Sequence, residues 1–198
     1  MITVVLFDLD GVVRHFDPRH VEDIEKRHGI AAGAIEGFAF SSPLIEQVTT
    51  GRMSRREWVA QIAEHLGNRE AAAEWERQPF RADPAVLALA DRVRDLGVRT
   101  AILTNGTDTI PTEAAELGLG AHFDVIFNSA TIGYAKPDLR AFQHVLDSMS
   151  VIASEVFFTD DSPAKLTGAS ALGMTTHHYT GVIALERALR DGGIHIDT

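Results

Sequence analysis

The chain has 198 residues, 45% hydrophobic and 23% charged, which suits one globular core with a modest insertion. Its net charge of −10, from 18 basic and 28 acidic residues, argues against a nonspecific nucleic-acid binder or a protein that docks on anionic membranes. The absence of cysteine excludes disulfides, thiolate metal sites and a thiol nucleophile, and fits a cytoplasmic location.

The opening run Ile2-Thr3-Val4-Val5-Leu6-Phe7 is apolar and β-branched, the pattern of a buried strand. It is too short, and too soon interrupted by Asp8, for a signal peptide, and no other run approaches a membrane span. Residues 14–81 then read as helices with almost no strand. One helix ends at Gly29, a second covers residues 34–40, and Ser42-Pro43 opens a third. Ser54-Arg55-Arg56-Glu57 is a capping box leading into Trp58, Ile62 and Leu66, with Gly67 as the stop. A further helix spans residues 69–77. Trp58 and Trp75 read as core residues of this bundle.

From Asp83-Pro84 the pattern alternates. Asp83 caps a helix that ends at Gly97, residues 98–103 form a strand, and residues 109–117 a helix. A strand over 123–127, a helix over 138–149 and a strand over 156–158 follow. Ser162-Pro163 caps a helix to Leu172, then come a strand over 174–178 and a helix over 182–190. The tail from Gly192 is assigned no element. Strands and helices in alternation with short connections predict an α/β fold, a doubly wound parallel sheet with a helical bundle inserted after the first strand.

Polar groups fall at or just beyond four predicted strand ends: Asp8 and Asp10, Thr104 and Asn105, Lys136, and Asp160 and Asp161. In a doubly wound sheet those ends converge on one crevice. Four carboxylates there repel one another, and Lys136 alone does not balance them. A hard dication held by oxygen ligands is the physical remedy, and Mg²⁺ is the usual one beside carboxylates and phosphate. An ionised aspartate is a competent nucleophile toward phosphorus, and a second carboxylic acid nearby can protonate the leaving oxygen. The Thr104 hydroxyl, backbone N–H groups around Asn105, and Lys136 are placed to hold phosphoryl oxygens.

These stretches resemble the haloacid-dehalogenase superfamily of hydrolases, in the subgroup with a helical cap inserted after the first strand. Asp8-Leu9-Asp10-Gly11-Val12-Val13 is similar to its first motif, and Leu103-Thr104-Asn105-Gly106 to the second. Lys136-Pro137-Asp138 is similar to the third, and Phe157-Phe158-Thr159-Asp160-Asp161-Ser162 to the fourth. The resemblance covers nearly the whole chain. It implies a core domain from residues 1–13 and 82–198 and a cap from residues 14–81. It further implies Asp8 as nucleophile and Asp10 as general acid/base, with Mg²⁺ held by the Asp8 carboxylate, the Asp10 backbone carbonyl and the Asp161 carboxylate. Asp160 would support the metal's waters. Thr104, Asn105 and Lys136 would bind the substrate phosphate. Dehalogenases of the family lack the second aspartate, so Asp10 favours phosphoryl transfer.

In such proteins the cap closes over the crevice and selects the substrate. Arg14, His15 and Phe16 follow the first motif and are candidates to line the entrance, while Arg52, Arg55 and Arg56 are candidates to attract an anion. The expected partner is a small phosphorylated metabolite such as a sugar phosphate, with neither nucleic acid nor membrane involved, and the chain a monomer or homodimer. A phosphomutase on the same residues is the alternative reading, ahead of a dehalogenase or a catalytically silent binding protein.

Overall fold

Val4–Phe7 forms strand β1, buried on both faces, and the rest of the sheet is laid down around it. In the computed structural model, which describes residues 1–196, β1 pairs in parallel with β4 (Arg99–Thr104) on one side and β6 (Val156–Asp160) on the other. β5 (Val125–Asn128) and β7 (Thr175–His178) complete a five-stranded parallel sheet in the order β5-β4-β1-β6-β7. Period-two alternation divides β1 between two cores. Val5 and Phe7 pack with helices α6 (Pro84–Asp95), α7 (Ile110–Glu116) and α11 (Val182–Asp191); Val4 and Leu6 pack with α9 (Leu139–Met149) and α10 (Pro163–Leu172). This is the expected doubly wound α/β architecture. Its crevice lies beyond the carboxyl ends of β4, β1 and β6.

Between β1 and α6 lie five helices: α1 (Pro18–His28), α2 (Ala34–Ala39), α3 (Leu44–Thr49), α4 (Arg55–Leu66) and α5 (Arg69–Glu76). They enclose a hydrophobic cluster of their own, with Ile24, Ile35, Val48, Ile62 and the Trp58–Trp75 pair at its centre. The predicted caps are present: Ser54 and Glu57 close a capping box, and Gly29 and Gly67 end α1 and α4 in the left-handed region.

Several elements differ from the sequence reading. Residues 14–81 are not free of strand, because β2 (Arg14–Phe16) and β3 (Phe80–Ala82) pair antiparallel where the chain leaves and re-enters the sheet domain. Three-residue strands leave almost no periodic signal, and here the pairing partners are distant in sequence, Arg14 opposite Ala82 and Phe16 opposite Phe80. A short helix α8 (Ser129–Ile132) follows β5, with Asn128 as its N-cap. Ser162 stands at the N-cap position of α10 without a side-chain bond; Asp160 Oδ1 accepts the Ser162 N–H instead, at 2.9 Å. The tail is also built in. Ile194 and Ile196 are buried in the main core, and Arg190 Nε donates to the Ile196 carbonyl. The last two positions, Asp197 and Thr198, lie outside the described residues.

Candidate active site

β1 delivers Asp8 and β6 delivers Asp160, both buried, to adjacent strand ends. Lys136, in the loop between α8 and α9, reaches both: its Nζ donates to Asp8 Oδ1 and to Asp160 Oδ2, each at 2.7 Å. These are short, charge-assisted bonds with every partner shielded from water. Asp161 turns out toward solvent, yet one carboxylate oxygen each from Asp8, Asp160 and Asp161 lie within 4.8 Å of one another. Asp8 Oδ2 is buried and accepts no hydrogen bond. Lys165 Nζ lies 3.7 Å from it.

The electrostatics follow from this burial. Burial pushes the Asp8 carboxyl up to about 6; Lys136 opposes that rise and Asp160 adds to it. Partial burial also raises Asp161, against the pull of Lys165. Burial disfavours the Lys165 ammonium, but Asp8, Asp160 and Asp161 outweigh it and raise its pKa. Three carboxylates thus face two ammonium groups, and an excess of negative charge remains.

The loops complete the frame. Gly11, at φ +86°, lies against Asp161 so closely that a Cβ there would overlap the carboxylate. Asn105, one residue past β4, spends its side chain on the main chain of Lys136: Nδ2 donates to the Lys136 carbonyl at 2.8 Å and Oδ1 accepts its N–H at 2.7 Å. Thr104 is the buried last residue of β4, in register with Asn128.

Asp10 is held differently. Arg14 forks onto it, Nε to Oδ1 at 2.6 Å and Nη2 to Oδ2 at 3.0 Å, while Arg14 Nη1 donates to Glu113 of α7. The guanidinium is buried, its carbon 5.0 Å and 5.1 Å from the ring centres of Phe16 and Phe80. Burial works against the Arg14 charge, but Asp10 and Glu113 more than compensate and raise its pKa. Arg55 of α4 also approaches Glu113, at 3.6 Å, and its N–H donates to Asp108 Oδ1 at 2.8 Å, tying the helical segment to the loop after β4.

A cavity of about 550 Å³ lies between the helical segment and these strand ends. Asp10, Asn105, Lys136 and Lys165 form one end of it, and Phe40, Ile45, Trp58 and Trp75 the other.

A family model described as haloacid dehalogenase-like hydrolase matches residues 2–173, which include every strand end named above except that of β7. The chain belongs to the haloacid dehalogenase-like hydrolases. Among curated relatives it is 27% identical to phosphatase MT3486 of Mycobacterium tuberculosis, over 89% of this chain and 86% of that protein. It is also 27% identical to the sesquiterpene phosphatase astK of Aspergillus oryzae, over 93% of each. A predicted haloacid dehalogenase-like hydrolase from Porphyromonas gingivalis shares the fold at a TM-score of 0.77 with 24% identity, over 96% of this chain and 98% of that one. A family enzyme from Bacteroides thetaiotaomicron, solved with magnesium and inorganic phosphate, matches at a TM-score of 0.75 with 23% identity, over 89% and 93%.

In this haloacid dehalogenase-like hydrolase, Asp8, Lys136, Asp160 and Asp161 come together as the strand-end argument predicts. Other candidates are placed otherwise. Arg14 lines the cavity with its charge already matched by Asp10 and Glu113. His15 alternates to the opposite face of β2, does not line the cavity, and lies 3.4 Å from Asp83. Of Arg52, Arg55 and Arg56, only Arg55 borders the cavity, with its Nη2 donating to the Glu76 carbonyl. Lys165 was not picked out from the sequence. Its signal is slight: it stands four residues after Asp161, in the first turn of α10. Glu113 carries no local signal at all, since its partner Arg14 is 99 residues away.

Proposed function

We propose that the protein is a Mg²⁺-dependent phosphatase that hydrolyses a small phosphomonoester through an aspartyl-phosphate on Asp8. One observation supports this above the rest: the Asp8 carboxylate has one oxygen fixed by Lys136 and the other buried without a hydrogen-bond partner, beside two further carboxylates. An unsatisfied buried carboxylate oxygen costs free energy unless something accepts its charge. The relatives named phosphatases, and the Bacteroides enzyme solved with magnesium and phosphate, support the same reading.

The donor set fits Mg²⁺, which takes hard oxygen ligands and shares sites with phosphate. Asp8 and Asp161 would hold it with the Asp10 carbonyl, and Asp160 would support it from behind through its bond to Lys136. Bound there, the ion would neutralise the excess negative charge and let a phosphate dianion approach an ionised Asp8. A carboxylate oxygen of Asp8 then attacks phosphorus, the ester P–O bond breaks, and Asp10, which enters the step protonated with one oxygen released from the Arg14 fork, gives its proton to the leaving oxygen. In the second half, Asp10 takes a proton from water as that water attacks phosphorus, and the bond to Asp8 breaks. Lys136, Lys165, the Thr104 hydroxyl and the N–H groups of Asn105 and Thr107 balance the phosphoryl oxygens, the Gly106 N–H being taken by the Ser129 hydroxyl. Asn105 fixes the Lys136 main chain, and so the ammonium that reads both Asp8 and the phosphate. The Arg14 fork fixes the Asp10 carboxylate at the cavity wall.

On this reading residues 14–81 act as a cap, and the core comprises residues 1–13 and 82–198. The test is phosphate release from acetyl phosphate and from p-nitrophenyl phosphate. Release that requires Mg²⁺, stops with EDTA and disappears in Asp8→Asn is the expected result. Release that survives both treatments overturns the proposal.

A further inference from the structure

The wall of the cavity contributed by the helical segment is largely apolar. It presents Phe40, Ile45, Trp58 and Trp75, and Phe40 is 50% exposed, a large ring left uncovered at the rim. Several of the donors on that side are spent within the protein. Trp58 Nε1 donates to the Ala39 carbonyl, the Thr49 hydroxyl to the Ile45 carbonyl, and Arg55 Nη2 to the Glu76 carbonyl, while Arg55 Nη1 lies 3.6 Å from Glu113. Trp75 Nε1 has no partner but is itself buried. The charge that remains on this side is negative: among the described residues Glu36 lines the cavity without an ion-pair partner and the Glu46 carboxylate meets only the Ser42 hydroxyl. Every cation bordering the cavity is on the strand-end side or already bound to a carboxylate.

Building on the phosphatase reading, we infer that the alcohol released is apolar, an aryl or branched-alkyl group, and carries no second anionic group. A sugar would face rings and spent donors over most of that wall, and its hydroxyls would find replacement partners only at the Glu36 and Glu46 carboxylates and the Gln78 amide. A second phosphate or a carboxylate on the substrate would be brought beside Glu36 and Glu46 with no free cation to meet it. An apolar alcohol loses nothing there, and it covers Phe40 and the edges of the tryptophan pair. The cavity volume of about 550 Å³ is that of a small-molecule pocket and leaves room for such a group beyond the phosphoryl end.

The experiment compares kcat/KM, with Mg²⁺, for naphthyl phosphate, glucose phosphate and phosphoglycolate, with acetyl phosphate as the smallest leaving group. Naphthyl phosphate is expected to exceed both polar esters by about 100-fold, a discrimination of the size pocket contacts supply. In Phe40→Ser the ratio of naphthyl to acetyl phosphate should fall by about tenfold, and in Glu36→Gln the ratio of phosphoglycolate to naphthyl phosphate should rise at least about threefold. Both are ratios within one variant, so a partly misfolded preparation does not distort them. Turnover of acetyl phosphate with glucose phosphate or phosphoglycolate equal to naphthyl phosphate overturns the inference and leaves the phosphatase reading standing. Unmoved ratios in both variants also overturn it. No turnover of any ester, acetyl phosphate included, overturns the phosphatase reading and the inference with it.

Discussion

Asp8→Asn should abolish turnover and, in the metal-free protein, raise stability. Burial drives the Asp8 pKa from 3.8 up to about 6, so ionising Asp8 in the fold costs more than ionising it in the unfolded chain. At 1.36 kcal/mol per unit the penalty is roughly 3 kcal/mol once both states are ionised. The sign follows from the raised folded value. Below about pH 4 the carboxyl is protonated in both states and the penalty is absent; it grows as pH rises toward 6 and is constant above. Asparagine keeps an oxygen for Lys136 Nζ but gives up the charge attraction, so a net gain of roughly 1–3 kcal/mol is expected at neutral pH. For a chain of this size each kcal/mol is worth about 2–4 °C in Tm. Thermal melts in EDTA should therefore show the variant several degrees above the wild type at neutral pH, with the difference shrinking toward pH 4. Added Mg²⁺ should stabilise the wild type more than the variant, because metal binding removes the charge excess. A variant less stable than the wild type at neutral pH in EDTA would refute the reasoning, since Asp8 would then be a net contributor to the fold.

Asn105→Ala removes both bonds to the Lys136 main chain, so kcat should fall by about tenfold or more while the melting temperature moves little; steady-state kinetics beside a melt separate the two. Gly11→Ala sets a Cβ into the Asp161 carboxylate at a φ of +86° and should weaken Mg²⁺ binding by about tenfold, read by calorimetric titration of the metal alone.

The order of strands and helices around β1 was legible because β1, β4, β5 and β6 are short, largely apolar runs ended by polar residues, and long helices such as α1, α4 and α6 carry their own caps. The meeting of Asp8, Lys136, Asp160 and Asp161 was legible for a related reason: parallel strands put their carboxyl ends on one side, so residues 128 apart, Asp8 and Lys136, are predicted to meet without any pairwise signal. What stayed hidden depends on side-chain direction or on distant partners. Asp10 looked like a fourth unbalanced carboxylate, but Arg14 turns back from β2 and matches it, while Glu113 holds the guanidinium from a helix the sequence places elsewhere. His15 was grouped with Arg14 by adjacency, and the period of a strand sends the two to opposite faces. The apolar wall was hidden too, since Trp58 and Trp75 read as core and are core, and nothing in their spacing says that they also border the cavity beside Phe40 and Ile45.

The most direct measurement is to mix the protein with a radiolabelled phosphate ester and Mg²⁺, quench in acid within the first turnover, and map the label by peptide. Label on the peptide carrying Asp8, absent from Asp8→Asn, is the predicted result. Full turnover with the label nowhere on the chain, or on a residue other than Asp8, would contradict the account.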